Sequence, residues 1–111
     1  MEKTGHDELV LCILDALHNK VCRILLYGRA ASGKSSEGAE IDIAVLTPYK
    51  ISGDEEERLS ASVFELNQKH RGRYSVVDID RAVFEEKRGT LPFYREIDRT
   101  GLVLWPQEDG R

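Results

Sequence analysis

Apolar residues recur at Leu9, Val10, Ile13, Leu14 and Leu17, a spacing of three and four that predicts an amphipathic helix over residues 6–20. The stretch VCRILLY at 21–27 is nearly unbroken in its apolar character and reads as a buried strand. Residues 39–46 (AEIDIAVL) instead alternate strictly, with Ile41, Ile43 and Val45 on one side and Glu40, Asp42 and Ala44 on the other. Thr47 and Pro48 end that strand. A capping-box pattern from Ser52 to Glu55, with an acidic first turn, then opens a helix over 52–70 whose buried stripe is Leu59, Val63 and Leu66. Residues 73–80 (RYSVVDID) predict a third strand, and 90–100 a short helix with Pro92 in its first turn and Gly101 at its end. A last strand, GLVLW, precedes Pro106. The order α-β-turn-β-α-β-α-β, with no internal repeat or linker, predicts one α/β domain over residues 1–111.

Composition narrows the functional classes. A chain of 111 residues has room for one core and one site. Its 41% hydrophobic and 32% charged content is ordinary for a globular protein, and no apolar run approaches the roughly 20 residues that span a bilayer. The start MEKTGHDELV lacks the basic and apolar stretches of a signal peptide, so a cytoplasmic location is expected, with Cys12 and Cys22 as packed thiols. A net charge of -4 argues against a surface devoted to nucleic-acid phosphates. His6, His18 and His70 read as helix-end or surface residues, and Phe93 and Tyr94 as packing residues.

One motif asks for a decision. Gly28, Gly33, Lys34 and Ser35 in YGRAASGKSS satisfy the pattern of a phosphate-binding P-loop, which would make the chain a nucleotide hydrolase. A P-loop needs a helix directly after its lysine, because the helix N-terminus is part of the phosphate site. Only Ser36, Glu37, Gly38 and Ala39 separate Ser35 from a strand pattern, too few for such a helix. The wider window fits another chemistry. Glu40 and Asp42, at i and i+2 on a strand, point to one side, and paired carboxylates suit Mg²⁺, which takes one or two protein carboxylates plus substrate phosphates. The glycine turn ahead of them can offer backbone N–H groups to those phosphates.

This arrangement resembles the minimal nucleotidyltransferases of the DNA polymerase beta superfamily, whose pattern is a strand, Gly-Ser, a short turn, and Asp-x-Asp on the next strand. Gly28 matches the motif glycine, Gly33 its second glycine, and Asp42 the second carboxylate, with Gly28 and Glu40 twelve positions apart. The likeness continues through VVDID and REIDRTGLVLW to the end of the chain. Three positions depart from the pattern: Arg29 stands for Ser, Ser32 for Arg, and Glu40 for Asp. The resemblance implies a small mixed, twisted β-sheet with helices packed on one face and the carboxylate edge open. It implies Glu40 and Asp42 as metal ligands, with a third carboxylate at Asp78 or, on an ungapped overlay, a serine at Ser75 in that place. It also implies ATP as substrate, Mg²⁺ as cofactor, and Gly28, Arg29, Ser32, Gly33 and Lys34 around the phosphates. Free-standing members resemble antitoxins that modify a tyrosine on a small helical HEPN partner. Two outcomes stay open: an adenylyltransferase of that kind, or a binding module of the same fold that neutralises its partner by contact.

Overall fold

The computed structural model describes residues 6–33 and 38–106. Helix α1 spans Asp7–Ala16, shorter than its sequence pattern, because His18 and Asn19 both adopt left-handed conformations, φ 53° and 64°, and turn the chain away. Strand β1 (Arg23–Tyr27) leads into the turn at Gly28, and β2 (Ile41–Thr47) returns antiparallel beside it, with Tyr27 opposite Asp42 and Leu25 opposite Ala44. Helix α2 (Gly53–His70) starts with the capping box its sequence announces: the Glu55 N–H donates to Ser52 Oγ at 3.1 Å and the Ser52 N–H to Glu55 Oε1 at 2.8 Å. Strand β3 (Tyr74–Asp80) then lies parallel to β2, the pairing that a helical crossover permits. Asn67 sets where β3 begins. Its Nδ2 donates to the Tyr74 carbonyl and its Oδ1 accepts the Tyr74 N–H, both at 3.0 Å.

Two short helices follow, α3 (Arg81–Lys87) and α4 (Pro92–Thr100), before β4 (Leu102–Trp105). The sequence pattern gives α4 but not α3, whose seven residues are too few to show a helical period. Asp80 starts α3 by accepting the Ala82 N–H at 3.0 Å, so this strand-end carboxylate is a helix cap. Gly101, which links α4 to β4, is required sterically: a Cβ there would lie 2.6 Å from the Ile97 carbonyl oxygen.

The sheet order is β3-β2-β1-β4, mixed because only β2 and β3 are parallel. On one face Ile24, Leu26, Ile43 and Val45 meet Leu9, Ile13 and Leu17 from the α1 segment and Leu59, Val63 and Leu66 of α2. The two long helices therefore cover one face, as the resemblance implies. The short helices add a second, partial cover on the other face, where Leu25, Ala44, Leu46 and Ile79 lie under Phe84 of α3 and Ile97 of α4. The reason is visible along β2, whose second side is polar at Asp42 but apolar at Ala44 and Leu46, both buried. A register shift between β1 and β4 at Ile24/Leu25 accompanies the packing of both Leu104 and Trp105 on the α1–α2 side.

The polar helix ends behave as read. His6 precedes α1 and its Nδ1 lies 2.9 Å from the Tyr74 hydroxyl, while His70 ends α2 and meets Glu8 at 3.0 Å. Cys12 and Cys22 are free thiols, partly buried at the margins of the two core clusters. No helix among the described residues is long and apolar enough to cross a membrane.

Candidate functional site

The candidate site forms where β1 ends and β2 begins. Gly28 takes φ +75°, a left-handed conformation that glycine adopts without steric cost. It is also pressed against the first functional side chain: a Cβ at Gly28 would stand 3.1 Å from Asp42 Oδ2. Beyond it the chain winds tightly, the Ser32 N–H donating to the Gly28 carbonyl (3.2 Å), the Gly33 N–H to the Ala30 carbonyl (3.4 Å) and Ser32 Oγ to the Arg29 carbonyl (3.1 Å). Ser32 thus spends its hydroxyl inside the turn. Gly33 is again left-handed at φ +77°, and the Arg29 side chain is exposed. Lys34 lies outside the described residues.

Asp42 is half-buried on the face that carries Ala44 and Leu46, and its pKa is raised, by burial first and then by the negative charges of Glu40 and Glu96. No cation among the described residues offsets that repulsion at Asp42. Tyr27, paired with Asp42 across the ladder, has its phenol pushed up to about 12, by burial and then by Asp42, Glu96 and Glu40. It remains a neutral O–H at physiological pH. Three carboxylates therefore share one electrostatic neighbourhood, and two of them, Glu40 and Asp42, are the pair read from the sequence.

Asp78 does not join them, which corrects its assignment as the third carboxylate. In the parallel register Asp42 pairs with Ser75 and Val45 with Asp78, so Ser75 shares the face of Asp42 and Asp78 shares that of Val45. Asp78 lines a groove with Glu56, Val63 and Phe64 of α2, on the far side of the sheet. Three residues along a strand reverse the face, and the overlay that places serine beside the carboxylates is the one the register supports.

Helix α4 supplies what the sequence reading missed. Phe93, Glu96 and Thr100 fall at i, i+3 and i+7, one helical stripe, and all three face the end of β1. The Phe93 ring meets Tyr27 edge-on at 5.9 Å, Glu96 adds its charge to Tyr27 and Asp42, and Thr100 Oγ1 accepts the Gly28 N–H at 3.1 Å. The spacing F-x-x-E-x-x-x-T was available in the sequence, but the partner it faces was not.

The donor set decides which metal chemistry fits. Among the described residues no three His, Cys, Asp or Glu side chains converge closely enough to cage an ion. Glu40 and Asp42 alone suit a single Mg²⁺ shared with phosphates, and with serine at position 75 they lack the third carboxylate of a two-metal site. The P-loop alternative fails on topology, because its helix leads by crossover to a parallel strand, whereas β2 runs antiparallel to β1.

Gly28→Ala tests how tightly this turn is held. The substitution combines a left-handed alanine, costing about 1–2 kcal/mol, with a Cβ crowding the Asp42 carboxylate. We expect the urea midpoint to fall accordingly; an unchanged midpoint would show that the turn relaxes without cost.

No family model matches the chain, and no curated protein matches it in sequence. In three dimensions it has the mixed α/β fold of chains in solved toxin–antitoxin complexes, among them one described as a toxin–antitoxin with AMP-PNP (TM-score 0.63, 18% identity, covering 95% of this chain and 76% of that one). Two others are crystal structures of the MntA–HpeT toxin–antitoxin pair. One carries two Asp-to-Glu substitutions (TM-score 0.59, 20% identity, 91% of this chain and 73% of that one). The other carries a Tyr-to-Ala substitution (TM-score 0.57, 18% identity, 95% and 74%).

Proposed function

We propose that this chain is the antitoxin of a toxin–antitoxin pair and acts as a nucleotidyltransferase, moving an adenylyl group from ATP to a hydroxyl on a small helical partner of the HEPN type. The observation that carries the proposal is the acidic cluster of Glu40, Asp42 and Glu96 beside a left-handed glycine turn, with no cation among the described residues lowering the pKa of Asp42. The like charges around Asp42 disfavour its ionised form, and carboxylates perturbed in this way gather at functional sites, where a bound cation would relieve the repulsion. The fold likeness to toxin–antitoxin structures, one of them with AMP-PNP, supports the same reading.

The protein's own groups have distinct tasks in such a transfer. The turn from Gly28 to Gly33 receives the terminal phosphates, with the exposed Arg29 guanidinium as a charge partner in place of the family's serine. Glu40 and Asp42 hold one Mg²⁺, which when bound supplies charge neutralisation at the phosphates. Thr100 fixes the turn by holding the Gly28 N–H, and Tyr27 walls the site with a phenol that stays protonated. Catalysis of this kind is mostly positioning and electrostatic stabilisation.

Ser75 beside Asp42 favours a second reading, in which the fold neutralises its partner by contact without transfer. Calorimetric titration with AMP-PNP, with and without Mg²⁺, separates the two. The transferase reading expects saturable binding that requires Mg²⁺. An absence of binding under both conditions, with the partner present as well as absent, would leave only the contact reading.

A further inference from the structure

Helix α4 runs past the candidate site in a fixed order. Its Thr100 end touches the glycine turn, Glu96 lies by Asp42, and Phe93 meets Tyr27 at the other end. Thr100 and Phe93 stand seven positions apart on the helix, about 10 Å along the axis. That order follows a nucleoside triphosphate from its terminal phosphates, through the phosphate nearest the sugar, to the base.

The Phe93 ring is built as a platform. It stands edge-on to Tyr27 at 5.9 Å and to Tyr94 at 5.6 Å, and Tyr94 in turn stacks on the buried Phe84 at 6.1 Å. Phe93 itself is 46% exposed, and Leu91 next to it in the chain is 44% exposed. The chain thus spends three aromatic rings on holding a fourth at the surface beside a cluster of carboxylates. An edge-on pair sets one ring's edge against the other's face, and the 46% of Phe93 left exposed is the part of the ring open to a further ring.

Resting on the nucleotidyltransferase reading, we infer that Phe93 is the stacking surface for the base of the bound nucleotide, with Tyr27 and Tyr94 fixing its orientation. Phe93 is a binding residue in this role and not a catalytic one. Stacking accepts any base, since every base has a π-face, so the surface adds affinity without selecting adenine.

The experiment titrates AMP-PNP with Mg²⁺, and separately inorganic tripolyphosphate with Mg²⁺, into the parent protein, Phe93→Ala and Phe93→Trp, after thermal melts confirm that each is folded. Tripolyphosphate carries the phosphates without a base. The parent should bind AMP-PNP roughly tenfold more tightly than tripolyphosphate. Phe93→Ala should remove that difference while leaving tripolyphosphate affinity unchanged, and Phe93→Trp should keep or enlarge it. Equal AMP-PNP affinity in the parent and Phe93→Ala would overturn the stacking role and leave the carboxylate site standing. Equal loss of both ligands in Phe93→Ala would overturn it too, since the ring would then support the phosphate site. Failure of the parent to bind either ligand, with the partner present as well as absent, would overturn the nucleotide reading itself, and the stacking role with it.

Discussion

Asp42→Asn is expected to make the unliganded protein more stable while abolishing Mg²⁺-dependent nucleotide binding. The carboxylate is half-buried, and burial together with Glu40 and Glu96 raises its pKa, so at neutral pH its charge opposes the fold. Asparagine removes the charge at almost constant shape. The sign of the pH dependence follows from the direction of the shift. A carboxyl whose folded pKa lies above its unfolded value favours the folded state below the unfolded pKa, and that contribution is lost as pH rises through the folded pKa. The stability gained by Asp42→Asn should therefore be largest near neutrality and shrink as pH falls through the carboxylate range. Nucleotide affinity should fall by about 100-fold or more, the cost of removing one of two charged metal ligands. Urea titrations at several pH values and calorimetry with AMP-PNP check the two halves. A destabilised variant would show that Asp42 has a structural partner, and retained binding would remove it from the site.

Ile97→Ala should produce the largest loss of stability and should damage the site from a distance. Ile97 is fully buried, packed in one cluster with Leu25, Ala44, Leu46, Ile79 and Phe84. Truncating a buried isoleucine costs about 2–5 kcal/mol, a large share of the roughly 5–15 kcal/mol that holds a domain together. It is also the buried residue of α4, the helix that presents Phe93, Glu96 and Thr100 to the site. Nucleotide affinity in the surviving folded protein should fall as well. A full urea curve read beside AMP-PNP titration tests this, and a stability loss below about 1 kcal/mol would show that α4 is held by its neighbours instead.

How much of this was legible in the sequence depends on the range of the interaction. The capping box at Ser52 and Glu55, the alternation of β2 and the proline start of α4 are local signals, and each corresponds to an element in the structure. Asp42 was legible from the alternation of β2, whereas Glu40 precedes that strand and is exposed, so what joins it to Asp42 in the structure is the nearness of the two charges rather than strand alternation. The third position was harder, since assigning it depends on the register of β3 against β2, which no residue in either strand announces. Glu96 and Thr100 were invisible as site residues for the same reason on a larger scale. Thr100 meets Gly28 across 72 positions of chain, and only the docking of α4 brings them together. Phe93 read as a packing residue because half of its surface does pack; its exposed half becomes meaningful once Asp42 is known to lie nearby.

The strand order β3-β2-β1-β4 has a consequence for biosynthesis. The glycine turn and both carboxylates leave the ribosome early, together with every strand needed for the three-stranded part of the sheet. Synthesis runs from the N-terminus, so α4, which presents Phe93, Glu96 and Thr100 to the candidate site, and β4, the edge strand beside β1, are the last elements to emerge. A nascent chain halted after β3 would carry Glu40 and Asp42 without Glu96, and only the later arrival of α4 brings the third carboxylate to that edge.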